Sequence, residues 1–459
     1  MASGPDSSFR VSSTRFRLFP ELPSLSEQGE PETVWVSPPA GSVAAGPMDN
    51  RMYVVDPIGK ERPYGYYPAG NGGVIHFKPP WEGPAENSAE PDIDGHFDHL
   101  EFGTRQFEQA HAYGTVRFVL DIWENYFGHE IGWHFASEYD RLEIVFLRGL
   151  DNAFAGYGSL EIGSYERGPG IPVDFGLSFD VMAHEVGHLI IYSQVGLPDT
   201  NGIDGEYFGF HESAADMVSL VSLMHFEQAF TGLLESSHGN LYSYNRLNRF
   251  GEVSDSDQLR LASNPRTLFE FAQGWREEHD LSEPLTGAFF DIWVDVFHRN
   301  LVDQGLISIA LDDLSDRLEG DPDYHEVIQP LFDRAYSREP EGFARALAEA
   351  RDYMGMALAL TWKRLSPNRL DYADVFQAFL DTDHMINNGK YHDQIVDNMT
   401  WRGIGIVRVG PRLQLPAENS HAFSPRTQVP LTPPRTCSHS MPYRLRMARA
   451  RNAIPAQRR

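Results

Sequence analysis

Short apolar runs set between glycines and prolines fill the first part of this chain, and longer runs with helical spacing fill the rest. Thr33-Val-Trp-Val-Ser and Arg51-Met-Tyr-Val-Val read as strands, in a Pro- and Gly-rich setting that predicts irregular β structure up to about residue 95, and Leu142-Glu-Ile-Val-Phe-Leu reads as a further strand between 96 and 195. Beyond Gly196 the pattern predicts helices at Leu268 to Ala272, Gly287 to Leu301, Pro340 to Met356 and Tyr372 to Leu380. Between the two regimes, Phe179 to Val195 is apolar almost throughout. Ser178 is placed as its N-cap, and Gly196 and Pro198 close it. No internal repeat is evident.

The polar residues inside that apolar run change the picture. His184 and His188 are one helical turn apart, so both imidazoles can reach one ion from the same face, and Glu185 lies beside them where a general base belongs. A similar stretch, His129-Glu130 with His134, has a five-residue spacing that turns the second ring about 140° away, and it reads as structural. Further on, Phe210-His211-Glu212-Ser-Ala-Ala-Asp216 begins a second helix with Glu212 and Asp216 on one face. Two His and a Glu are a known ligand set for a catalytic zinc, with one position left for water. Asp216 is placed to accept the free ring N–H of a ligand His. The small residues Ala214 and Ala215 allow close helix approach.

These segments resemble the thermolysin-like neutral metallopeptidases, the gluzincin group. Asp180-Val-Met-Ala-His-Glu-Val-Gly-His is similar to that family's D-V-V-A-H-E-L-T-H, and Glu212 to Asp216 to its E-A-I-S-D. Upstream, Asp151-Asn152-Ala153-Phe154 resembles the N-A-F of the edge strand that holds the substrate peptide, and Gln109 to Phe127 resembles the helix beneath the sheet. Downstream, Leu259-Arg260-Leu-Ala-Ser-Asn-Pro265 resembles L-R-x-x-x-x-P, and His279-Asp-Leu-Ser282 resembles H-x-x-S ahead of an apolar helix. Residues 357 to 404 resemble the family's closing helices, so the likeness spans about 96 to 410.

The resemblance implies an α+β fold, a thermolysin-like zincin with a β-rich N-terminal lobe, a mainly helical C-terminal lobe and the zinc helix at the cleft between them. It implies a first peptidase lobe at 96–195 and a helical lobe at 196–410, while pattern and charge set off an irregular β-rich segment at 1–95 and a basic tail at 411–459. It implies Zn2+ on His184, His188 and Glu212, Glu185 as base, and His279 as the group that stabilises the transition state. Asn152 and Ala153 would hold the substrate, and Arg260 would bind a carbonyl. Val181 and Leu259 would line an apolar pocket after the cut. Two departures stand out. Leu223 replaces an acidic residue of the family's calcium pair, which argues against bound calcium, and no Tyr falls at the oxyanion position, Tyr207 being the nearest.

Composition fits a large globular enzyme: 459 residues, 41% hydrophobic and 12% aromatic. No window of about twenty apolar residues exists, so no membrane span is expected. The opening residues lack a secretory pattern, and the expectation is a cytoplasmic protein. One cysteine, Cys437, excludes an intramolecular disulfide. A net charge of −27 disfavours nucleic acid and anionic membranes. From Pro411 onward nine Arg face one Glu, and that Pro- and Ser-rich tail reads as disordered. The expected partner is a peptide or protein substrate; oligomeric state is not encoded in any pattern found. Two alternatives stay open: a zinc hydrolase acting on a non-peptide substrate, and a catalytically silent binding module that kept the fold.

Overall fold

A computed structural model describes residues 13–23, 29–69, 73–168, 171–199, 205–243, 249–250, 260–271, 274, 278–318 and 320–405. The fold is mixed α+β, with strands concentrated before residue 175 and helices after it. The basic tail lies outside the described residues.

Strands β1 (Ser13–Leu18) and β2 (Glu32–Pro39) form an antiparallel ribbon, with Phe16 opposite Val34. A second hairpin joins β4 (Gly65–Pro68) to β5 (Val74–Phe77). The main sheet is ordered β3 (Met52–Val55), β6 (Leu142–Arg148), β8 (Ser159–Gly168), β7 (Ala153–Ala155), with β9 (Ile171–Asp174) also on β8. The β3, β6 and β8 pairings are parallel, while β7 and β9 run antiparallel to β8. Residues Leu142 to Leu147 of β6 are buried on both faces, as a strand covered on each side requires.

Helix α1 (Arg105–Phe127) packs against the ribbon and β3. Thr104 caps its start by accepting the Phe107 N–H, and Gly128, in the left-handed region at φ 73°, ends it. Gly114 brings it close: a Cβ there would lie 2.9 Å from the Leu18 side chain and 3.0 Å from that of Phe16.

The helical part begins with α2 (Phe179–Gln194), α3 (Gly205–Leu223) and α4 (Glu227–Ser237). Ser178 is at the N-cap position of α2 as expected, but its side chain makes no cap hydrogen bond. Then follow α5 (Glu278–Asp303), α6 (Ile309–Leu318), α7 (Tyr324–Tyr336), α8 (Pro340–Trp362), α9 (Tyr372–Asn387) and α10 (His392–Trp401). Helix α5 starts well before the expected Gly287 and contains Pro284, so His279 lies in its first turn rather than ahead of it. The expected helix from Leu268 is a short 3-10 turn, Leu268–Phe271. Trp123 of α1 stacks on Trp362 of α8, ring centroids 4.8 Å apart, and its Nε1 donates to Ser222 Oγ of α3. Those contacts tie α1 to the helical part in one core. No single described helix is long and apolar enough to cross a membrane.

Candidate functional site

Helices α2 and α3 approach each other at Gly187, where a Cβ would lie 2.7 Å from the Ala215 Cα. Only a residue without a side chain permits that separation, and it brings the His pair of α2 onto the acidic face of α3. His184 Nε2 is 3.3 Å from Glu212 Oε2, and His188 Nε2 is 3.6 Å from Glu212 Oε1. One donor atom from each of the three residues lies within 4.8 Å of the other two. Two imidazole nitrogens and a carboxylate at such separations can share one ion with bonds of about 2.0–2.2 Å.

Both rings are held from behind. His184 Nδ1 is 3.0 Å from Asp216 Oδ1, and Thr286 Oγ1 of α5 donates to Asp216 Oδ2 at 3.0 Å. His188 Nδ1 is 2.7 Å from His211 Nδ1. Burial, opposed by Glu212 and reinforced by His184 and His134, pushes His211 down to about 3, so it is neutral and one of the two rings donates to the other. With His188 as the donor, its Nε2 is left as a lone pair directed at the cluster. The donor set therefore fits a zinc ion, and the Asp216 carboxylate holds His184 in the tautomer that ligation needs.

Burial alone would push the Glu212 carboxyl up, but the imidazoles of His279, His188 and His184 outweigh it and hold the group well below the usual carboxylate range. His279 Nε2 is 3.2 Å from Glu212 Oε2. It reaches the cluster from α5, yet rests on the carboxylate, with no space for a carbonyl between the two groups. Glu185 is buried, and its Oε2 accepts the Ala155 N–H at 2.7 Å. That bond shows how β7 is set. Its inner side pairs with β8, and its outer edge faces α2.

Asn152 is buried at the start of this edge, its carbonyl accepting the Gly163 N–H at 2.8 Å, and Ala153 is buried beside it. Val181 is buried in the first turn of α2. Arg260 belongs to a two-residue strand, Arg260–Leu261, but its side chain and all of Leu259 lie outside the described residues. The Tyr207 hydroxyl donates to the Gly196 carbonyl at 2.9 Å, and its ring packs on that of His211, centroids 5.6 Å apart.

Three residues near the site carried a weaker signal. His211 precedes Glu212, and Thr286 is far away in sequence. Tyr192 continues the stripe of His184 and His188 by one more turn; its ring centroid is 4.3 Å from that of His211. Burial, then the charges of Glu212, Glu185 and Glu278, push its phenol up, so the hydroxyl keeps its proton. His134, read as structural, is packed against Tyr192 and Tyr157, and burial pushes it down to about 4.

No family model matches the chain, and no curated protein matches it. Among solved structures, the precursor of protealysin, a metalloproteinase from Serratia proteamaculans, aligns with 80% of this chain and 89% of its own at 13% identity and a TM-score of 0.46. A likeness that distant does not establish a shared fold family, and the geometry of the cluster stands without it.

Proposed function

We propose that this chain is a zinc-dependent peptidase of thermolysin-like architecture, with His184, His188 and Glu212 as ligands. The observation that supports this best is the convergence of both Nε2 atoms on the two oxygens of one carboxylate while each Nδ1 is tethered behind. A zinc bound there would acidify its water and polarise the scissile carbonyl.

The remaining work falls to the chain's own groups. Glu185, oriented by the Ala155 N–H, accepts a proton at its carboxylate and returns it to the leaving amine. The outer edge of β7, with Asn152 and Ala153 at its start, offers main-chain partners to an extended peptide. His279 donates to the oxygen that gains negative charge, exchanging its contact with Glu212 for that oxygen. Arg260 binds a carbonyl beyond the cut, and Val181 with Leu259 favours an apolar residue there.

The test is hydrolysis of casein and of a quenched peptide library by the full chain. Activity lost on chelation, restored by zinc and absent in His188→Ala is expected. A zinc-loaded, folded protein that cleaves no peptide but hydrolyses an ester or another small substrate would overturn the peptidase reading while leaving the metal in place.

A further inference from the structure

A second group of metal-ligating side chains lies on α5 and α6, formed by His298, Asp312 and Asp316. One ligand atom from each lies within 4.8 Å of the others. Asp312 and Asp316 are one turn apart on α6, so their carboxylates share a face, an arrangement of like charges that costs stability unless something offsets it. Among the described residues no Lys or Arg pairs with either carboxylate or with the neighbouring Asp313. Burial, Asp312 and Asp313 raise the proton affinity of Asp316, and His298 opposes them.

His298 supplies the independent observation. Its side chain is 1% exposed and packed among Tyr242, Phe297 and Phe332, yet neither ring nitrogen makes a hydrogen bond. A buried imidazole without partners loses the hydration of both nitrogens, at a cost of about 1–3 kcal/mol for each unsatisfied group. Its Nδ1 is aimed at the acidic face of α6, 3.6 Å from Asp312 Oδ1. That gap is too long for a hydrogen bond and normal between two ligands of one ion.

We propose that His298, Asp312 and Asp316 form a second cation site, for a divalent transition ion. One imidazole with two carboxylates suits zinc or manganese; calcium and magnesium would take the oxygens and leave the nitrogen unligated. Asp316 is exposed, so water completes the shell from the solvent side. The ion offsets the two carboxylates, satisfies His298 and clamps α6 onto α5. The proposal does not depend on the peptidase reading.

Equilibrium dialysis of the full chain against micromolar zinc, followed by elemental analysis, tests it. The unaltered protein should hold two equivalents, Asp312→Asn/Asp316→Asn one, and His188→Ala one. The double variant should hydrolyse peptides as the unaltered protein does. Affinity at the second site should fall at least tenfold, since loss of an outer partner of a metal ligand alone typically costs about 10–100-fold. Retention of every equivalent by the double variant would overturn the proposal. So would a single equivalent in the unaltered protein that only His188→Ala removes. If the double variant misfolds, anomalous diffraction at the zinc edge from the unaltered chain decides. A peak between α5 and α6 supports the site, and none there sinks it.

Discussion

Two clusters of imidazole and carboxylate that could each hold an ion occur among the described residues, and they differ in what lies behind them. At the α2–α3 cluster each ring nitrogen that faces away from the centre has a tether, Asp216 for His184 and His211 for His188, and Asp216 is itself held by Thr286. At the α5–α6 cluster His298 has no hydrogen bond, and its carboxylates come from a short helix at the surface. The first cluster is tethered without an ion; the second has no such tether. Pre-organised ligands lose little freedom on binding, so the first cluster is suited to an ion that takes part in chemistry and the second to one that fastens two helices.

The largest expected effect separates chemistry from ligation at the first cluster. Glu185→Gln should keep zinc and lower kcat by about 100-fold or more, because it removes the proton acceptor and spares the three ligands. Zinc content and turnover measured on one preparation check this. Zinc loss in the variant would make Glu185 part of the metal shell and blur the contrast between the clusters.

A smaller effect tests the tethers. Asp216→Asn should weaken zinc by about 10–100-fold, whereas Thr286→Val, one step further out, should cost less. Competition with a chromophoric chelator measures both. Equal losses would mean that Thr286 acts through packing and not through Asp216.

Gly187→Ala then tests the helix approach on which the first cluster depends. In an exposed helix this change would stabilise by about 0.5–1 kcal/mol. Here the added Cβ would lie 2.7 Å from the Ala215 Cα, backbone that cannot move aside alone. Overpacking of this kind costs about 1–3 kcal/mol, so the sign should reverse. Denaturant midpoints would show a loss, accompanied by weaker zinc binding as Glu212 shifts with α3. An unchanged or raised midpoint would mean that the helices part freely.

What could be read from the sequence follows the same division. The His pair of the first cluster was legible because its rings lie on adjacent turns of one helix, where helical period converts sequence spacing into direction, and Glu212, on another helix, was legible only through the ligand set such a pair needs and the resemblance of its segment. Tyr192 followed the same period and could have been found with it. Thr286 could not, since nothing local marks a residue from α5 as the partner of Asp216. The α5–α6 cluster was invisible for the same reason: His298 and Asp312 belong to different helices, and Asp312 with Asp316 looks like an ordinary solvated face. Boundaries failed where apolar pattern and helix are not the same thing. The expected helix from Gly287 omits the first turns of α5, which runs back through the buried Leu281, Ser282 and Leu285 and the polar residues around His279 to Glu278.

The smallest effect concerns the start of α2, where residue type suggested a cap. Ser, Thr, Asp and Asn are favoured at this position because a side-chain oxygen can accept one of the first helical N–H groups. At α1 this happens, and Thr104→Ala should cost about 1 kcal/mol. Ser178 has the extended backbone of an N-cap, φ −92° and ψ 103°, and its carbonyl accepts the Met182 N–H at 3.1 Å, but its side chain makes no cap bond. The backbone half of the motif is therefore independent of the serine hydroxyl. Ser178→Ala should shift stability by no more than about 0.5 kcal/mol, and zinc affinity should not change. Urea titrations of the two alanine variants side by side check the ranking. A loss at Ser178 equal to that at Thr104 would mean that its hydroxyl caps α2 in solution, and the start of the helix that holds His184 and His188 would then be fixed from both ends.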